Sequence, residues 1–111
     1  MPMTLREKRC LFTRLLCEHI LWLCEQGYEV AFDEVTERLT ARDKTSDHMA
    51  GSLHHVGLAA DLNLYRDGKW LDKTEDHRSS GERWEQRHAL CRWGGRFKDG
   101  NHYSLSHEGK A

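Results

Sequence analysis

Apolar residues in the first quarter of the chain recur at three- and four-residue steps. Leu5, Phe12, Leu15, Leu16, His19, Leu23 and Gln26 follow that step, with Phe12, Leu16, Ile20 and Leu23 at the centre of the apolar face. This predicts an amphipathic helix whose stripe is core. Thr4-Leu5-Arg6-Glu7 is a capping box that starts it, and Gly27 stands where a left-handed residue would end it. Tyr28 to Phe32 then alternates, with Tyr28, Val30 and Phe32 on one side of a short strand. From Asp33 to Gly51 charged and small residues dissolve the pattern into a short helix or an irregular loop. Leu58 to Tyr65 reads as a second strand, and Asp67-Gly68 supplies a tight hairpin turn before Trp70 and Leu71 return. Ser79 or Ser80 can cap a helix through Glu82, Trp84, Glu85 and Leu90. Gly94-Gly95 breaks the chain before a last strand near His102 to Leu105. Helix, strand, loop, hairpin, helix, strand is an α+β order, with a small, mainly antiparallel sheet and flanking helices.

A chain of 111 residues is expected to form one domain, residues 1–111, with a single core and therefore a single site. A formal charge of -1 gives no electrostatic footprint for nucleic acid, which calls for a clear basic surplus. The most apolar stretch, Leu11 to Cys24, is interrupted by Arg14, Glu18 and His19, so it is neither a spanning helix nor a secretory leader. The protein is expected to be made in the cytoplasm without a signal peptide, not to insert in membranes, and to be a monomer. Cys10, Cys17 and Cys24 fall seven apart on the first helix. At 1.5 Å rise per residue neighbours lie roughly 10 Å apart, too far to bridge or to share one ion. They read as buried reduced thiols.

Eight histidines invite a search for chemistry, and spacing has to sort them. His54 and Asp61 stand seven apart across a Gly57 bend, the first in a loop and the second entering a strand, with His102 far downstream at the start of another strand. Two imidazoles and one carboxylate leave a fourth position for water, the donor set of a catalytic zinc site. Asp99, three residues before His102, could place its carboxylate beside such a metal as general base. An Asp in Asp-Gly-Asn also suits a turn, and spacing does not choose between the two.

Two longer patterns bear on that choice. Ser52-Leu53-His54-His55-Val56-Gly57-Leu58-Ala59-Ala60-Asp61 fits SxHxxGxAxD, and Trp93-Gly94-Gly95-Arg96-Phe97-Lys98-Asp99-Gly100-Asn101-His102-Tyr103 fits WGGxFxDxxHY. Together they resemble, in order, the site motifs of the zinc peptidases related to D-alanyl-D-alanine carboxypeptidases and phage L-alanyl-D-glutamate endolysins. The similarity continues through Asp61-Leu62-Asn63-Leu64, Asp67-Gly68 and Trp84-Glu85, over roughly residues 52 to 105. The resemblance implies zinc held by His54, Asp61 and His102, with Asp99 as catalytic base. An Asp in that place is similar to the endolysin branch, which implies hydrolysis of the L-Ala to D-Glu bond of peptidoglycan stems, on the cell wall after release. Trimming of D-Ala-D-Ala is the alternative, and a zinc-binding module that has lost catalysis is another. Relatives often carry an Arg in a segment like ExYR after the first strand. Here the stretch is Glu34-Val35-Thr36-Glu37-Arg38, so Glu37 takes that position without a gap and Arg38 with one inserted residue.

The remaining polar residues are read more plainly. His55 is left out of the ligand set because neighbours in an extended segment face opposite ways. Ser52 is expected to orient the ligand loop by a hydrogen bond. His48, His77, His88 and His107 read as surface residues and His19 as packed. Trp70, Trp84 and Trp93 read as core, with a substrate cleft as the other reading. A His-rich nuclease is disfavoured by the near-neutral charge.

Overall fold

The computed structural model describes residues 2–33 and 53–111. Helix α1 (Leu5–Glu25) starts at the capping box, where the Glu7 amide donates to Thr4 Oγ1 and the Thr4 amide to Glu7 Oε1. It ends at Gly27, whose φ of +94° belongs to the left-handed region that favours glycine. Five strands form one antiparallel sheet: β1 (Glu29–Phe32), β2 (Ala59–Arg66), β3 (Lys69–Trp70), β4 (Cys91–Trp93) and β5 (His102–Leu105). Their order is β1-β2-β5-β4, with β3 paired to β2 through the hairpin. Asp67 and Gly68 both take positive φ there, as a two-residue turn matched to strand twist requires. Helix α2 (Arg78–Arg87) precedes β4. The α+β class with an antiparallel sheet is therefore what the chain adopts.

One face of the sheet carries the core. Leu62 and Leu64 of β2, Tyr103 and Leu105 of β5, and Cys91 and Trp93 of β4 are buried with Phe12, Leu16 and Leu23 of α1 and Trp84 of α2. Full burial of each large apolar side chain contributes about 1.5–3 kcal/mol relative to exposure. Trp93 lies between two glycines. A Cβ on Gly81 would stand 2.0 Å from its ring and one on Gly95 2.2 Å, so the glycines let α2 and the loop after β4 close on the indole. Strand alternation then sends Asp61, Asn63 and Tyr65 to the other face of β2, and His102, directly opposite Asp61, to the other face of β5.

A buried polar chain ties the helices to β5, and its proton order follows from one end. Arg83 can only donate, so His19 Nδ1 accepts from it (2.8 Å) and His19 Nε2 carries the proton toward Ser80 Oγ (3.0 Å). The Ser80 hydroxyl then donates to Tyr103 Oη (2.8 Å), and the Tyr103 hydroxyl to His77 Nδ1 (3.0 Å). Burial, with the charges of Arg83 and Arg87, pushes His19 down to about 3, so the ring is neutral as this order demands.

Several expectations are corrected here. Cys10, Cys17 and Cys24 are exposed, because their shared face is the one turned away from Phe12, Leu16 and Leu23. Cys91 is the buried thiol, pushed up to about 11 by burial. His77 is buried by its bond to Tyr103 rather than lying on the surface. Trp84 and Trp93 are core, but Trp70 is 57 % exposed. Ser79 and Ser80 sit inside α2, which is entered through a short turn over Thr74–His77 where Asp76 accepts from the Lys73 amide, and Leu90 lies beyond its end. Val30 is half-buried, and Phe32, placed on its side of the strand, is 54 % exposed at the sheet edge.

Candidate metal centre

His54 comes from a single turn over Leu53–Val56. Buried Leu53 anchors this turn, and the Leu58 amide closes it on the Leu53 carbonyl (2.9 Å). Gly57 makes the following bend at φ +77°, and Arg9 Nε reaches from α1 to the Val56 carbonyl (2.7 Å). Asp61 and His102 are cross-strand partners on β2 and β5. Three atoms from three segments of the chain thus converge.

His54 Nε2 lies 3.2 Å from His102 Nδ1 and 3.3 Å from Asp61 Oδ1, and His102 Nδ1 lies 3.4 Å from the same Asp61 oxygen. A tetrahedral ion with bonds of about 2.0–2.1 Å separates its ligand atoms by about 3.3–3.4 Å. The triangle has those edges. One cation at the centre would meet three lone pairs together. His54, Asp61 and His102 are thus a group that could hold a metal ion. Burial raises the Asp61 carboxyl, but hydrogen bonds from His102 and His54 outweigh it and hold the group below the ordinary carboxylate range, in its ligating form.

The framework behind the triangle is polar and specific. The Asp33 amide donates to the Asp61 carbonyl (3.0 Å), and its carboxylate accepts from Asn63 Nδ2 (3.1 Å) and Asn101 Nδ2 (3.3 Å). The Leu62 amide donates to the Asn101 carbonyl (2.8 Å). These bonds brace β1, β2 and the approach to β5 at the separation that Asp61 and His102 need. His102 presents Nδ1 to the group, as the distances show, while its Nε2 is buried with no hydrogen-bond partner among the described residues.

Asp99 is carried on a pinned loop. Its amide donates to the Gly94 carbonyl (2.8 Å), its carbonyl accepts from the His102 amide (3.1 Å), Trp93 Nε1 donates to the Gly100 carbonyl (2.7 Å), and the Gly100 amide to Thr74 Oγ1 (3.2 Å). Gly94 makes the approach possible, since a Cβ there would meet the Asp99 carbonyl oxygen at 2.2 Å and His102 Cβ at 2.5 Å. The outcome is an Asp99 Oδ2 4.0 Å from His102 Nδ1, on a side chain 51 % exposed. At that distance the carboxylate stands beside the group without joining it.

A cleft of about 170 Å³ opens beside Asp99, between the segment Trp70–His77 and the loop Lys98–Asn101. Sequence reasoning missed the residues that brace the group. Asn63 had a signal, two residues beyond Asp61 on a strand, whereas the role of Asp33 depends on partners 30 and 68 positions away. Arg38 and Ser52 lie outside the described residues, as do His48 and the side chain of His55. No helix among the described residues is long and apolar enough to cross a membrane. No protein-family model, no curated protein and no solved structure matches the chain.

Proposed function

We propose that the chain is a zinc peptidase that hydrolyses an amide bond in the peptide stems of bacterial cell walls, the bond between L-Ala and D-Glu, with D-Ala-D-Ala as the alternative target. The observation that carries this reading is the 3.2–3.4 Å triangle of His54, Asp61 and His102 with the Asp99 carboxylate 4.0 Å from His102 Nδ1. The two motif resemblances supply the substrate class. Two imidazoles with one carboxylate suit zinc and leave a coordination position open.

When bound, zinc would supply Lewis acidity, polarising a substrate carbonyl and bringing the pKa of a water to about 7. Asp99 takes the proton of the attacking water and returns it to the leaving amine, from a position open to the cleft and fixed by its loop. His54, Asp61 and His102 would hold the ion while the proton moves through Asp99. Arg38 is the expected anchor for a substrate carboxylate, and Ser52 the residue expected to orient the loop of His54.

The test is release of new amino termini from purified peptidoglycan, with fragments identified by mass. Zinc-loaded protein is expected to cut and chelated protein not to, with fragments that begin at D-Glu. Release of D-Ala alone would move the assignment to a carboxypeptidase. Zinc binding without cleavage of any bond would leave a binding module and overturn the reading.

A further inference from the structure

Trp70 is an exposed aromatic residue for which the peptidase chemistry has no use. It sits on the two-residue strand β3 opposite Tyr65, so its backbone is fixed by the hairpin, yet the side chain is 57 % exposed and lines the cleft that also holds Asp99. An indole left open to water forfeits the burial that makes tryptophan stabilising. Around it the cleft is polar, and the orientation of its amides is fixed. Asn63 and Asn101 each donate one N–H to the Asp33 carboxylate, which can only accept, so each amide keeps a second N–H and a carbonyl oxygen for other partners. Asp72 adds an acceptor, and Lys73, Thr74 and Lys98 add donors. A wall of mixed donors and acceptors beside an open aromatic face suits a ligand whose hydroxyls can do both and that brings a weakly positive C–H face, since the face of an aromatic ring is its negative side.

We propose that the Trp70 end of this cleft is a saccharide subsite, which seats the pyranose ring from which the peptide stem hangs. The inference rests on the reading of the chain as a wall peptidase, and the topology gives it scale. Asp61, Asn63 and Tyr65 follow one another on the same face of β2, and Tyr65 faces Trp70. At about 3.4 Å per residue, Trp70 is level with a point about 13 Å along the strand from Asp61. A stem's lactyl link and first residue together reach roughly 7 Å when extended. A bond held at the metal group therefore puts the sugar ring over the stretch between Asn63 and Trp70. The cleft is smaller than the roughly 300 Å³ that begins to enclose a drug-sized ligand, which matches one ring rather than a longer glycan.

The experiment measures binding without turnover. The disaccharide N-acetylglucosaminyl-N-acetylmuramic acid, free of peptide, is titrated calorimetrically into the full chain and into Trp70→Ala and Trp70→Phe, with circular dichroism as the check on folding. The expected result is binding by the native chain, weakened roughly tenfold or more in Trp70→Ala and largely restored in Trp70→Phe. No binding by the native chain, or equal binding by a folded Trp70→Ala, overturns the subsite. If the wall is not cut but disaccharide binding follows Trp70 in this way, the subsite stands and the peptidase reading falls. If the wall is cut and the disaccharide is ignored, the subsite falls and the peptidase reading stands.

Discussion

Asp99→Asn is expected to slow stem-peptide hydrolysis by about 10²–10⁴-fold while one metal ion per chain stays bound. The substitution removes one function and little else. The loop is held through backbone groups, by the Asp99 amide on Gly94, the His102 amide on the Asp99 carbonyl and the Trp93 indole on Gly100, and none of these needs the carboxylate. Asn is at ease in turns, so the local conformation persists. Asp99 is also outside the triangle, its Oδ2 4.0 Å from His102 Nδ1. The prediction therefore separates the two readings of this residue that spacing left open. Turnover measured at saturating substrate, beside metal content, checks it. Unchanged turnover would return Asp99 to the role of turn former.

The second large effect is on stability. His19 is fully buried, with its ring neutral and its ordinary value of 6.5 lowered to about 3 by burial and by Arg83 and Arg87. The unfolded chain binds this proton and the folded chain refuses it. Stability is therefore complete above about pH 6.5 and is lost as pH falls from there toward 3, at about 1.4 kcal/mol per pH unit. Over the whole window the loss is about 4–5 kcal/mol, a large share of the 5–15 kcal/mol that a domain of this kind holds. His77, also lowered by burial, adds to the same slope. Denaturant unfolding between pH 5 and 7, above the range of most carboxylates, should show this decline. His19→Gln keeps an acceptor for Arg83 and a donor for Ser80 but does not titrate, so its decline should be shallower by one proton's worth. Parallel slopes for the two proteins would contradict the assignment.

Elements with a local cause were legible in the sequence. The capping box and Gly27 bound α1 because a helix end has to satisfy its own amides and carbonyls within a few residues. The Asp67-Gly68 turn was legible because few residues take positive φ in succession. The group His54, Asp61 and His102 could be named because two long sequence motifs end on Asp61 and near His102, and the sheet places those two residues opposite one another. What depended on tertiary partners was not legible. Spacing placed Cys10, Cys17 and Cys24 on one helix face but could not say which face the sheet would cover. His77 and Ser80 became interior residues only because Tyr103 arrives from β5. The Asp33 brace joins positions 33, 63 and 101, and no periodicity connects them.

The measurement that bears most directly on the account is the metal content of the chain, by elemental analysis and calorimetric titration with zinc. The native protein is expected to bind one ion, and His54→Ala, Asp61→Ala and His102→Ala are each expected to lose it while Asp99→Asn keeps it. A native chain that binds no zinc, or a site that survives the loss of Asp61 or His102, would contradict the reading of the triangle as a metal centre.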